Sequence, residues 1–295
     1  MGEDARHDEN RGEEIQMRQA VIDIGSNSVR LMLMRDKRVS KQIITTRLAE
    51  GAGGAHILQE SQIYKTVKAV EEFIDIARKA NVEQLYVYAT EALRSATNKE
   101  EFLERIRPFG VEVDILTGEQ EAKLGYIGAG AKGKTLVDVG GASTEMCDGK
   151  KSLSFPIGAV KIYERCGYDI NAILSYIAEV FDPIELKADK LVGIGGTATT
   201  IACMEKGLTI YDTKEVQGTV LTRKCVTNWA KRILAMPLED RYKLIGLDRM
   251  RAKIIGGGAL LLSRIMKRCD IDVIEISDKD NLEGYLMWKN GEVQI

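Results

Sequence analysis

The stretch Ala20-Val-Ile-Asp-Ile-Gly-Ser-Asn-Ser28 decides how the chain is read, because it returns 115 residues later as Thr135-Leu-Val-Asp-Val-Gly-Gly-Ala-Ser143. A third copy is Lys190-Leu-Val-Gly-Ile-Gly-Gly-Thr-Ala198, and a weaker fourth is Lys253-Ile-Ile-Gly-Gly-Gly-Ala259. Each reads as an apolar, β-branched strand running into a Gly/Ser/Thr turn. Glycines permit positive φ and close approach, so successive backbone N–H groups point into one concavity that holds an anion. In the first two copies an aspartate, Asp23 or Asp138, stands two residues before the loop glycine. A carboxylate there repels a phosphate unless a divalent metal bridges them. One strand–glycine turn is common in α/β proteins. Two sharing D-[IV]-G-x-x-S imply duplicated halves facing each other across a cleft, each with one phosphate loop.

Outward from these loops the pattern alternates. Residues 29–34 and 41–46 continue the first strand into a β-meander, and 61–80 has helical spacing (Ile63, Val67, Val70, Phe73, Ile74, Ala77) ending at Asn81. Residues 85–89 and 111–116 read as strands. Asn98 is expected to cap a helix that closes before Pro108, and Thr117-x-x-Gln120 is a capping box opening a helix to about Ala129. Further helices are expected at 198–205, 258–268 and 282–289. Strands alternating with helices in both halves give an α/β class with mixed sheets. The boundary falls near Lys132-Gly-Lys134, so residues 18–132 form a first domain and 133–280 a second. A C-terminal helix, about 281–295, is expected to cross back to the first.

The 295 residues suit two domains. His7 and His56 are the only imidazoles, which argues against zinc or non-haem iron sites. Net charge is −2, but residues 1–17 hold six acidic side chains against two arginines. That stretch reads as a disordered acidic leader, with no apolar run for a signal peptide or membrane span, and Met17 is an alternative start. The five cysteines form no C-x-x-C pair and read as thiols of a reducing cytoplasm. No basic run with interleaved aromatics suggests specific nucleic-acid binding.

Several residues have the chemistry for a phosphate cleft. Glu121 falls in the first turn of its helix, where the positive end of the dipole favours an ionised carboxylate, a general base for water; Glu119 shares that turn. Arg94 offers a planar fork for phosphate oxygens, or pairs with Glu91 at helical spacing. Lys132, Lys134 and Lys161 would add a positive lining.

Asp23-Ile-Gly-Ser-Asn-Ser-Val-Arg30, Ala89-Thr-Glu-Ala-Leu-Arg94 with Ala96-x-Asn98, Gly118-Glu-Gln-Glu-Ala122, Asp138-Val-Gly-Gly-Ala-Ser-Thr-Glu145 and Gly195-Gly-Thr197 together resemble the exopolyphosphatase and guanosine pentaphosphate phosphohydrolase (Ppx/GppA) family. The resemblance runs in order from about Ala20 to Trp288 and matches a short, two-domain form. It implies two ribonuclease-H-like domains of the actin, heat-shock 70, acetate and sugar kinase superfold. It also implies magnesium-dependent hydrolysis of a terminal phosphoanhydride in the interdomain cleft. By the same resemblance Glu121 is the catalytic base, Asp138 the metal- or water-orienting acid, and Asp23 the carboxylate of the first loop. Phosphate would be held by Gly25, Ser26, Asn27, Ser28 and Arg94, and by Gly140, Gly141, Ala142, Ser143 and Thr144. Mg²⁺ would be held by Asp23 or Asp138, and Gly195, Gly196 and Thr197 would form a second-domain loop. A homodimer is a further implication.

The sequence departs from the family at Ala142, where a third glycine is usual and φ must stay negative. Gln120 replaces the first Glu of a Glu-Glu pair, Gln217 replaces a histidine, and Asn281-Leu-Glu-Gly284 lacks the usual arginine. The leading expectation is an exopolyphosphatase, with short chains preferred. The alternatives are a guanosine pentaphosphate 5′-phosphatase or nucleotide phosphohydrolase, a kinase of the same superfold, and a nucleotide- or polyphosphate-binding regulator without turnover.

Overall fold

A computed structural model of the chain describes residues 18–35 and 38–295; the acidic leader at 1–17 lies outside them. The first sheet is built from β1 (Gln19–Ile24), β2 (Ser28–Arg35), β3 (Arg38–Thr45), β4 (Gln84–Ala89) and β5 (Val113–Ile115), in the order β3-β2-β1-β4-β5. The meander β1–β2–β3 is antiparallel, while β4 and β5 join in parallel. All six residues of β1 are buried, as befits a central strand covered on both faces. Helix α1 (Glu60–Lys79) covers one face with Ile63, Val70, Phe73, Ile74 and Ala77, and Asn81 just beyond it takes a left-handed φ of 51°. The short α2 (Glu91–Ser95) and α3 (Lys99–Ile106) follow β4. Asn98 precedes α3 but makes no side-chain cap; its amide instead clamps the backbone N–H and C=O of Leu58.

The second sheet repeats this plan. It comprises β6 (Thr135–Val139), β7 (Thr144–Cys147), β8 (Ser152–Phe155), β9 (Leu191–Ile194), β10 (Val220–Thr222) and β11 (Val273–Ile276), ordered β10-β11-β9-β6-β7-β8. Again the first strand is central, its successor antiparallel and the next neighbour parallel. The two halves therefore share one ribonuclease-H-like order, and two such domains across a cleft make the actin and heat-shock 70 architecture.

Helix α4 (Gly118–Gly128) begins at the capping box: Thr117 Oγ1 accepts from Gln120 N–H and Gln120 Oε1 from Thr117 N–H. After it come α5 (Ala159–Cys166), α6 (Ile170–Phe181), α7 (Gly195–Lys206), α8 (Thr213–Val216), α9 (Arg223–Ala235), α10 (Leu238–Arg241), α11 (Ile255–Arg268) and α12 (Asn281–Lys289). The fourth sequence copy, residues 253–259, is not a strand. It opens α11, whose glycines let Leu234, Ile162 and Thr197 pack against the helix backbone.

The domains exchange helices. Helix α4 follows the last strand of the first sheet yet packs against β6, β7 and β8, so a boundary at 132/133 assigns it by chain order rather than by packing. Helix α12 follows the last strand of the second sheet and packs on β1 and α4. There Tyr285 stacks on Tyr88 with ring centroids 4.4 Å apart and donates to Asp114 Oδ2 at 2.5 Å. The helices cross with their backbones in contact: a Cβ on Gly284 would lie 1.9 Å from the Leu124 carbonyl oxygen, and one on Gly128 would lie 1.8 Å from that of Asp280.

Candidate active site

The duplicated loops fold alike. Gly25 N–H donates to Ser28 C=O, and Gly140 N–H to Ser143 C=O, each at 3.0 Å. Neither glycine has positive φ, contrary to the expected turn chemistry. Their requirement is space, since a Cβ on either would lie 3.0 Å from that serine carbonyl oxygen. The loops touch: a Cβ on Gly141 would come 3.1 Å from Ser26 Cβ. Positive φ is needed in the third loop, where Gly195 has φ 74° and a side chain would strike Asp138 Oδ1 at 2.2 Å.

Between the domains lies a cavity of about 580 Å³. Its walls include Asp23, Gly25 to Ser28, Glu121, Asp138, Gly140, Gly141, Ser143 and Gly195 to Thr197. Three expected residues do not line it. Ala142 keeps φ negative but is buried among apolar side chains of the first domain. Thr144 is fully buried and donates its hydroxyl to the Ile157 carbonyl at 2.6 Å. Arg94 stands behind the wall, with Nη2 on Glu91 Oε2 at 2.6 Å, Nη1 on the Leu116 carbonyl at 2.5 Å, and Glu121 Oε2 at 3.5 Å. Thr197, although in the wall, commits its hydroxyl to Val139 C=O.

The basic lining also differs from expectation. Lys134 pairs with Glu275, Lys161 with Glu91, and neither they nor Lys132 reach the cavity wall. Arg30, Lys41 and Arg251 do. Arg30 bridges Asp23 and Asp280, and Lys41 holds Glu283 at 2.7 Å and the Asp278 carbonyl at 2.8 Å. Arg251 lies over Gly196, where a Cβ would meet its guanidinium, and its side chain makes no hydrogen bond or ion pair among the described residues. Gln217, which replaces the family's histidine, accepts from Asp278 N–H and Ser277 Oγ and so steadies the β11–α12 connection.

The repeat's register places a second residue opposite each aspartate. Asp23 faces Arg30 across β1–β2, and Asp138 faces Glu145 across β6–β7. Directly opposed side chains in an antiparallel pair share a face, so one aspartate meets a cation and the other an anion. Burial raises the Asp138 carboxyl to about 7 despite Arg30, with Asp280 and Asp23 adding repulsion. Burial and Asp138 raise Glu145 to about 8. Glu121 is pushed well above the usual carboxylate range by burial and then by Glu145, against the pull of Arg94. The helix-end argument for an ionised Glu121 is thus outweighed by desolvation.

The folded chain therefore binds protons that the unfolded chain releases. For Asp138 and Glu145, stability is present at low pH and lost as pH rises from about 4 through about 8. Asp138→Asn is expected to raise the thermal midpoint above wild type at pH 8 in chelator-treated buffer, by up to about 4 kcal/mol equivalent. At pH 4 the difference should vanish. Scanning calorimetry at the two pH values checks this, and equal midpoints at pH 8 would refute a raised Asp138 carboxyl.

A two-domain actin-like fold with paired glycine loops and buried acids in its cleft defines a hydrolase of phosphoanhydride bonds. The chain belongs to the Ppx/GppA phosphatase family, whose model matches residues 34–290. It is 27% identical to a bifunctional 3-dehydroquinate synthase/phosphatase of Fusobacterium nucleatum over 91% of this chain, spanning 46% of that longer protein. It is 26% identical to exopolyphosphatase 2 of Mycobacterium tuberculosis, covering 90% of this chain and 97% of that one. The crystal structure of the Aquifex aeolicus Ppx/GppA family member superposes with a TM-score of 0.76 at 31% identity, covering 94% of this chain and 98% of that chain. No described helix is long and apolar enough to cross a membrane.

Proposed function

We propose that the protein releases terminal orthophosphate from inorganic polyphosphate, with Glu121 taking the proton from the attacking water. The observation that carries this reading is the pair of touching loops, Gly25 to Ser28 and Gly140 to Ser143, on a cavity whose wall also holds Glu121. Phosphoryl transfer needs positioning and charge stabilisation more than covalent help. The loop amides cradle the terminal phosphate, and the unpaired Arg251 guanidinium takes oxygens of a neighbouring one. The Glu121 carboxyl is raised well above its ordinary range by burial and then by Glu145, so once ionised it is a stronger base than a solvated carboxylate.

The donor set fits magnesium. Asp23 Oδ1 and Glu145 Oε2 are buried without hydrogen-bond partners, and Asp138 sits among like charges. No three acidic, His or Cys side chains converge on one point among the described residues. Asp23 or Asp138 would then hold the ion. Bound there, it would neutralise phosphate charge.

One observation favours the second reading, a guanosine pentaphosphate 5′-phosphatase or nucleotide phosphohydrolase. Six acids (Asp23, Glu121, Asp138, Asp248, Asp278, Asp280) line the cavity against three cations, and its second-domain end adds Thr199, Cys203, Leu208 and Leu247 beside Asp248. Such a wall suits few phosphates attached to an uncharged group. Phosphate release should be measured with Mg²⁺ on long polyphosphate, tripolyphosphate, guanosine pentaphosphate and ATP. Release from tripolyphosphate supports the first reading, release from the nucleotides alone the second, and a silent panel overturns both.

A further inference from the structure

We infer that Glu91 is a positioning residue that links Lys161 of the second domain to the charge Arg94 presents beside Glu121. This rests on the reading of Glu121 as the base. Glu91 opens α2 in the first domain with both carboxylate oxygens engaged: Oε2 accepts from Arg94 Nη2 at 2.6 Å and Oε1 from Lys161 Nζ at 3.3 Å. The three side chains are largely buried, at 13% exposure for Glu91 and 22% for each cation, so their pairing is weakly screened. With the Leu116 carbonyl on its other nitrogen, Arg94 is fixed against Glu121.

Lys161 comes from the other domain. It lies in the first turn of α5, where the N–H groups of Ala159 and Val160 donate to the carbonyls of Gly140 and Gly141 at 2.9 and 2.8 Å. Gly141 in turn packs on Ser26 and Asn27 of the first loop. One run of contacts therefore leads from the meeting of the two loops, through α5, to Lys161, Glu91, Arg94 and Glu121. With Lys161 in place, the single negative charge of Glu91 is shared between two cations, and Arg94 keeps positive charge for an anion near Glu121. Without Lys161, Glu91 neutralises Arg94 alone. The charge Arg94 keeps beside Glu121 thus depends on a lysine of the second domain.

The test is a cycle of Glu91→Gln, Lys161→Met and the double variant, assayed with Mg²⁺ and tripolyphosphate beside Glu121→Gln. Lys161→Met is expected to lower kcat about tenfold, within the range for residues sharing one ion-pair network, with KM changed less than twofold. Lys161→Arg should restore most of the loss. The double variant should be no slower than Glu91→Gln, because both act through one link. Additive losses, an unchanged kcat in Lys161→Met, or losses that track a falling thermal midpoint would overturn the inference. Normal turnover by Glu121→Gln would remove the base reading by itself, and the Glu91–Lys161 cycle would still report whether the link exists.

Discussion

Glu121→Gln is expected to lower kcat by about 10² to 10⁴-fold, the range for loss of an essential general base, with little change in KM. Glutamine keeps the size of the side chain and removes only the titrating oxygen. Glu121 is 8% exposed, and its charged form is disfavoured by burial and by Glu145, so the neutral amide should leave the fold unharmed or firmer. The pH profile supplies a second reading of the same residue. A base whose carboxyl is raised must lose its proton before it works, so wild-type kcat/KM should climb with pH through a limb well above 4.5. In Glu121→Gln that limb should flatten. Steady-state rates from pH 5 to 9, with a thermal midpoint for each protein, decide the matter. Normal turnover in a folded Glu121→Gln protein would sink the assignment.

The two halves have diverged at one repeated position, seven residues beyond Asp23 and Asp138. In the first, Arg30 ties Asp23 down and reaches across to Asp280 at the cap of α12, which makes this loop part of the joint between domains. In the second, Glu145 faces Asp138 across the strands, and burial, with Asp280 and Asp23 adding repulsion, raises the Asp138 carboxyl to about 7. Burial raises both aspartates, but the first has an arginine as its register partner and the second a carboxylate. Unbalanced carboxylates in a cleft are where a cation or a proton in transit is useful.

This difference also marks what could be read from the sequence. The loops at 25–28 and 140–143, the capping box at Thr117 and Gln120, and the amphipathic α1 were all legible, because each depends on residues close together in the chain. Arg30 and Glu145 stood inside the quoted motifs, yet their roles depended on strand register, which a hairpin pattern could have supplied. Asp280-x-x-Glu283 was legible as a helix start, but its grip on Arg30, 250 residues away, was not. Arg251 gave no signal, since its use depends on Gly196 leaving room for it. The fourth glycine copy misled because Ile-Ile-Gly-Gly-Gly suits a strand end or a tightly packed helix equally well, and tertiary packing chose the helix. Asn98 had the right identity for a cap, but a competing loop claimed its side chain.

Gly284→Ala and Gly128→Ala should each destabilise the protein by about 3 kcal/mol or more, at or beyond the upper end for overpacking. The added methyl would sit 1.9 Å from the Leu124 carbonyl oxygen in the first case and 1.8 Å from the Asp280 carbonyl oxygen in the second. Both obstacles are backbone, so no rotamer change relieves them. The helices must move apart by about 1 Å or more to restore ordinary contact. That movement has a functional consequence, because α4 carries Glu121 and the cap of α12 carries Asp280, the partner of Arg30. Whatever fraction stays folded should therefore lose turnover beyond its loss of stability. Gly54→Ala is the control: nothing lies within 4 Å of its added Cβ and its φ is not positive, so its effect should stay within about 0.5 kcal/mol. Denaturant midpoints and specific activity of the soluble fractions measure both effects. A Gly284→Ala protein that unfolds alongside Gly54→Ala would show that backbone contact between α4 and α12 does not hold the domains together.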